Sequence, residues 1–428
     1  MQPSSVANLV SRILLAFPLA SAFLPAPAHA QTFTVLHTFR GAPNDGEGPL
    51  GIVIRDSAGD LYGTTGSGGT GKFGSGGTCG TGFMLNKVGK EVAHLDFKLA
   101  QGCAPMAGLL RDAEGNFFGT TVLGGNTNCF EYGCGTVYKV SKTGKGVVLH
   151  KFTGSPDGEE PEALLVEDSS GNLYGTTFLG GTFENAGTVF ELDSEGNETI
   201  LYNFCSEPNC ADGYSPYAGV IRDPAGNLYG AAAGGGGHNA GVVYELDPNG
   251  KETVLYSFTG LSDGSDPFSV LVFDPQGNLY GTTQHGGNLA CGGVDGGCGV
   301  VFELSPQPDG SWKETTLYTF CSLPNCTDGQ DPLNGPLLRD TAGNLYGTTY
   351  FGGKTSGFCK SGCGVVFKLD TTGKETILHT FTGGSDGANP WAGLTIDSKG
   401  NLYGTTVAGG DDSCFAPDGC GVVFQITP

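Results

Sequence analysis

Asn278-Leu279-Tyr280-Gly281-Thr282-Thr283 is one of seven near-copies of a six-residue stretch. The others begin at Asp60, Asn116, Asn172, Asn227, Asn344 and Asn401, about 55 residues apart. A fixed period of this size marks an array of supersecondary units, each too small to bury its own apolar face.

One unit, Pro216 to Gly260, shows what each period contains. Tyr217 to Asp223 reads as a short apolar strand, A. Asp223-Pro224-Ala225-Gly226 is a tight turn, with Asp to bond its backbone and Gly to tolerate positive φ. Asn227 to Ala232 is strand B, and the glycines after it form a loop. Gly241 to Leu246 is strand C, rich in β-branched and aromatic residues. Asp247-Pro248-Asn249-Gly250 repeats the turn, and Glu252 to Phe258 is strand D. No helical periodicity occurs in the unit. Two hairpins per period, seven times, predict an all-β, seven-bladed β-propeller with four antiparallel strands per blade.

The chain ends fit a ring better than an open solenoid. Phe33 to Phe39 matches strand D, and Gly421 to Thr427 matches strand C. The last unit lacks one strand and the first residues supply it, which removes the open edges that invite aggregation. Recurrent aromatics, such as Phe258 and Phe320 on strand D, are expected between the blades.

Residues 1–30 read as a secretory signal peptide: Arg12, an apolar run from Ile13 to Leu24, and a small-x-small site at Ala28-His29-Ala30. That leaves residues 31–428 as a single propeller domain, expected to be secreted, extracellular or periplasmic. No later segment is apolar for the roughly 20 residues a membrane span needs. The net charge of −22 excludes nucleic acid and anionic membrane surfaces as partners, since both need clustered Lys and Arg. Acidity of this kind suits solubility, cation binding or a basic partner, with solubility the plainer reading, and a monomer is expected.

Fourteen cysteines in an exported chain predict disulfides. Local spacing pairs Cys129 with Cys134, Cys291 with Cys298, Cys359 with Cys363, Cys414 with Cys420, Cys205 with Cys210, and Cys321 with Cys326. Cys79 and Cys103 remain as the seventh pair. No C-x-x-C occurs, which argues against zinc held by these cysteines.

Gly-Asn-Leu-Tyr-Gly-Thr-Thr, then Gly-Gly, then Gly-Val-Val-Phe-Glu-Leu, as at Gly277 to Leu304, resembles the GloVer tandem repeat. The resemblance spans nearly the whole mature chain. It implies a bacterial, exported protein and no established activity. Some members of that family carry a carboxyl-terminal anchor, a feature not expected here. The strand pattern is also similar to NHL-type propellers, which implies the fold alone.

In a propeller the D–A and B–C loops share one face. Here that face carries the long loops and all the expected disulfides, so any site is expected there, near the central channel. Six D–A loops contain Asp-Gly-x-x-Pro, through Asp45, Asp157, Asp212, Asp263, Asp328 and Asp386. The second unit has Gln101-Gly102 instead. The plainer reading is a turn motif. The sharper one is a ring of carboxylates able to bind Ca²⁺, although one Asp per blade falls short of the six to eight oxygens Ca²⁺ takes. No other cofactor is implied.

The residue after the proline should lie near the channel mouth. There Tyr217, Phe268 and Trp391 offer flat faces to a sugar or an apolar ligand, unless they serve as inter-blade packing. His238 and His285 interrupt the repeat in successive B–C loops and form a candidate base or metal pair. His37, His150 and His379 take the strand D position held elsewhere by Tyr202, Tyr256 and Tyr318, and read as structural. No catalytic constellation emerges. The sequence therefore points to a secreted, non-enzymatic propeller that binds a protein or a glycan through its loop-rich face. A propeller lyase or hydrolase, and an envelope-associated structural protein, are the alternatives.

Overall fold

The sevenfold repeat becomes seven four-stranded antiparallel sheets in a computed structural model that describes residues 31–126, 129, 131–291, 296–411, 414 and 418–428. The signal peptide assigned to residues 1–30 lies outside the described residues. In the fifth blade, strand A is Val272–Phe273, strand B Leu279–Thr283, strand C Val300–Pro306 and strand D Trp312–Thr319, hydrogen-bonded in that order. The same order recurs in the other blades. In the seventh, the N-terminal strand Thr32–Thr38 takes the D position, paired antiparallel to Val422–Thr427.

Each letter of the repeated stretch has its own task. Leu279 is fully buried between blades. The Asn278 amide and the Tyr280 hydroxyl both donate to Asp274, at 2.8 and 3.1 Å, which locks the A–B turn. Gly281 faces the Phe302 ring of strand C, and a Cβ there would stand 2.7 Å from Cζ. In five units the first Thr of the pair reaches the next blade, whereas Thr282 Oγ1 has no partner and the fourth unit has Ala231. Thr64, Thr176 and Thr348 donate to the carbonyls of Ala107, Ala218 and Ala392, and Thr405 closes the circle by donating to Gly51. The second Thr donates to the carbonyl two residues on, as Thr283 does to His285, and so fixes the start of the B–C loop.

Strand A is shorter than its apolar run predicts. Only Ile221–Arg222 pairs with strand B, not the whole of Tyr217 to Asp223. The preceding residues line the axis, where neighbouring backbones come too close for a ladder: a Cβ on Gly219 would lie 2.5 Å from the Leu164 carbonyl oxygen. Fully buried Phe152, Phe190, Phe258, Phe302 and Phe320 fill the seams between blades, in edge-to-face pairs such as Phe258 with Phe302 at 5.2 Å.

All seven disulfides form with the pairing expected from spacing. No helix among the described residues is long and apolar enough to cross a membrane.

Candidate functional site

The D–A loop of each blade folds back against the B–C loop of the same blade, as in the bridges Tyr214 to Gly234 and Ser265 to His285. The residue before the loop proline is the pivot. Gly48, Ala104, Glu160, Ser215, Asp266, Asp331 and Asn389 all have φ between +54° and +61°. Six are not glycine, and a left-handed conformation costs such residues about 1 kcal/mol or more each. The hydrogen bonds explain why it persists. The Asp331 N–H donates to Cys298 in the preceding blade, and its carbonyl accepts from Tyr350 N–H in its own B–C loop. The Asp266 and Glu160 backbones do the same with their neighbours. This ring of hydrogen bonds sets what faces the axis.

The axis itself is nearly closed. Its central cavity is about 20 Å³, close to the room for one water, because Gly51, Gly108, Gly335 and Gly393 bring the blades into backbone contact. Off the axis, above blades three to seven, lies an open cup of about 360 Å³. Tyr217, Phe268 and Trp391 line it together, joined by Phe178, Tyr350 and Phe351. Tyr217 meets Phe178 and Phe268 edge to face, and Tyr350 meets Trp391 likewise at 5.6 Å. All six rings are half-buried. Gln284, Asn334 and Asp331 add polar groups to the wall.

Acid groups around the cup are perturbed. Burial pushes Asp331 up to about 6, partly offset by the nearby His285, and Asp331 Oδ1 is buried with no hydrogen-bond partner. Glu162 lies against the Tyr217 hydroxyl and is pushed up to about 7, again by burial. His285 Nδ1 stands 2.9 Å from Asp266 Oδ2. His238, by contrast, is exposed on the B–C loop of blade four and does not line the cup.

The six D–A aspartates are bound by their own loops. Asp328, fully buried, accepts from the Ser322 N–H and hydroxyl, the Leu323 N–H and the Tyr318 hydroxyl. Asp212 is held in the same way by Ser206, Glu207 and Tyr202, and Asp263 by Thr259 and Tyr256. Asp386 accepts from Thr382 and pairs with His379, Asp157 with Thr153, and Asp45 with the Arg40 N–H. These contacts carry the turn-motif reading. The strand D His or Tyr is therefore a partner of the loop aspartate. A β-bulge one residue earlier, at Leu255 or Leu317 for example, re-aims it. The exception is consistent: the unit with Gln101 in place of Asp has Leu95 in place of His or Tyr.

A third group joins from the next blade. Glu252, on the D strand of blade four, is pushed up to about 8 by burial and then by Asp212 and Glu207. Tyr202 and Tyr244 also face it. Its folded value lies above the ordinary 4.5, so the folded chain holds an extra proton that the unfolded chain loses. Stability from this group is full below about pH 4.5 and declines as pH rises toward 8. In Glu252→Gln the fall in melting temperature between pH 5 and pH 8 is expected to flatten. A slope identical to that of the parent chain would refute this assignment.

A model of the Gloeobacter/Verrucomicrobia repeat matches residues 74–295 and 289–428. The chain belongs to this family. No curated protein matches it. Among solved structures, a fungal alcohol oxidase of the AA5 family, in complex with copper, is similar over 93% of this chain and 76% of its own, with 12% identity and a TM-score of 0.54. A luciferin-regenerating enzyme is similar over 93% and 95%, with 16% identity and a TM-score of 0.42. A gluconolactonase from Xanthomonas campestris is similar over 68% and 78%, with 16% identity and a TM-score of 0.39. Likeness at such identities concerns the fold alone.

Within this Gloeobacter/Verrucomicrobia repeat protein, half of the cup was not singled out by the sequence. Phe178, Gln284 and Tyr350 each follow directly on the repeated Thr-Thr pair, where other units carry Gly66, Val122, Ala233 and Val407. A comparison of that one column across the seven units holds the signal.

Proposed function

We propose that this chain is an exported, non-enzymatic binding module that holds a glycan in the cup on its loop-rich face. The observation that carries this is the convergence of Trp391, Tyr217, Phe268, Phe178 and Tyr350 on one open cavity, with Gln284, Asn334 and Asp331 in its wall. Sugars have apolar faces edged by hydroxyls, and a cup with aromatic walls and few polar groups matches both. Its volume suits one or two sugar rings. The propeller supplies rigidity, and export follows from reading residues 1–30 as a signal peptide.

Calorimetric titration of the oxidised chain with a panel of soluble oligosaccharides tests this. Trp391→Ala is expected to weaken the binding sugar by at least about tenfold, or about 1.4 kcal/mol, with the melting temperature of the free protein little changed. Heat from no sugar, or equal affinity in the variant, would remove the glycan reading.

One observation favours a second reading, a hydrolase or lyase. Asp331 combines a place in the cup wall, an unpartnered oxygen and a raised pKa, features of a general acid. Release of new reducing ends from a bound oligosaccharide, abolished in Asp331→Asn, would replace the binding reading with this one.

A further inference from the structure

We propose that two blade seams, far out on the D strands, are binding sites for a divalent transition metal, Zn²⁺ being the best match. One is His37, Asp45 and Glu91; the other is His150, Asp157 and Glu198. In each trio one ligand atom per residue lies within 4.8 Å of the other two. Imidazole with two carboxylates is a donor set that suits Zn²⁺ and its first-row neighbours.

In these trios the imidazole stands back from the carboxylates, while Asp157 and Glu198 lie within hydrogen-bond reach of each other. His150 Nε2 stands 3.6 Å from both Asp157 Oδ2 and Glu198 Oε2, and His37 Nε2 stands 3.5 Å from Asp45 Oδ2. These are too long for hydrogen bonds. They match the edge of a tetrahedron around a metal with bonds of about 2.1 Å, which is roughly 3.4 Å. Both Nε2 atoms are buried and have no hydrogen-bond partner.

The other seams act as internal controls, because the fold is the same and only the side chains change. Where Tyr replaces His, the phenol bonds the aspartate directly, Tyr202 to Asp212 at 2.8 Å, Tyr256 to Asp263 and Tyr318 to Asp328 at 2.9 Å, and Tyr318 also lies 2.9 Å from Glu375. A proton fills the gap that the imidazole leaves. Where His379 is present, the position of the glutamate is taken by Phe33, whose ring stacks on the imidazole at 3.7 Å. There His379 closes on Asp386 to 3.2 Å, a hydrogen bond. Where the aspartate is missing, after the first blade, Leu95 and Gly146 replace the other two members. Among the described seams, the strand D residue stands more than 3.2 Å from its aspartate in the two where His, Asp and Glu are all present.

The surroundings suit a metal. The Gly46 and Gly158 N–H groups donate to the inner oxygens of Asp45 and Asp157, at 2.7 and 2.6 Å, and hold the carboxylates in place. His94 Nδ1 stands 3.1 Å from the Glu91 oxygen Oε1. Each metal would tie a D strand to the next blade. The His37 site would tie the N-terminal strand, which completes the seventh sheet, to the first blade.

The test uses the oxidised chain from Gln31 onward, stripped with EDTA and titrated with Zn²⁺ by calorimetry and with Co²⁺ by visible absorption. Two equivalents are expected, with Co²⁺ showing the strong d–d bands of a four- or five-coordinate site. Glu198→Gln should keep one equivalent, and Glu91→Gln/Glu198→Gln should weaken both by at least about tenfold. Circular dichroism of the metal-free variants checks that they fold. Two equivalents persisting in the folded double variant would overturn the proposal, as would the absence of saturable binding in the parent chain. In the latter case a proton shared between Asp157 and Glu198 accounts for the spacing. None of these residues lines the cup, so failure here leaves the glycan reading standing.

Discussion

Gly281→Val is expected to destabilise the propeller by about 3 kcal/mol, read as a lower denaturant midpoint with an unchanged slope. The reason is a filled space. A Cβ at this position would lie 2.7 Å from Phe302 Cζ and 3.0 Å from Leu271 Cδ2. Phe302 is fully buried and packs against Phe258, so its ring has nowhere to move. Phe302→Ala alone should cost about 3–5 kcal/mol, through lost burial and the cavity left behind. The double variant should cost clearly less than the sum, because the new valine occupies part of that cavity. Strict additivity would show that the glycine is there for another reason, such as backbone freedom. Its φ is not in the left-handed region, which already argues against that.

Asp328→Ala should cost about 3 kcal/mol and also weaken whatever the cup binds, although Asp328 does not line it. Removing the carboxylate strands the Ser322 and Leu323 N–H groups and takes an acceptor from the Ser322 and Tyr318 hydroxyls, which keep each other and, for Tyr318, Glu375. Orphaned buried donors cost about 1–3 kcal/mol each, less where water can reach them. Asp328 also organises the loop that carries Asp331, Leu333 and Asn334 into the cup. Asp328→Asn keeps one acceptor and should lose roughly half as much. Titration of the bound sugar and a denaturant series on all three chains check this. A variant within about 0.5 kcal/mol of the parent chain, with full affinity, would show that the Cys321–Cys326 disulfide alone holds the loop.

The same aspartate shows what the sequence reading reached. Asp-Gly-x-x-Pro was visible as a repeated motif, and its turn role follows from residue chemistry. That its partner is the His or Tyr of strand D was not visible, because the two lie seven to ten residues apart on different elements. That a glutamate of the next blade completes the group was further still from view. Glu198 is separated from His150 by nearly a full repeat.

The sequence by itself determined the architecture and the covalent frame. A period near 55 residues, two turn signals per period and an initial strand D that completes the three strands of the last unit leave few folds open. The disulfides were legible for the same reason: most partners are four to seven residues apart, and chain connectivity keeps them close. The face of the propeller and the three aromatics after the prolines also followed from strand order. What only the tertiary structure decided is which loops meet. The cup draws residues from five blades, and the seam clusters join D strands of successive blades. Such neighbours are set by the rotation between sheets and by the left-handed residues at the loop pivots, and a linear repeat encodes neither directly. His238 and His285 illustrate the limit. They sit in equivalent loops of adjacent blades, yet the backbone turns one out to solvent and sets the other against Asp266 behind the cup.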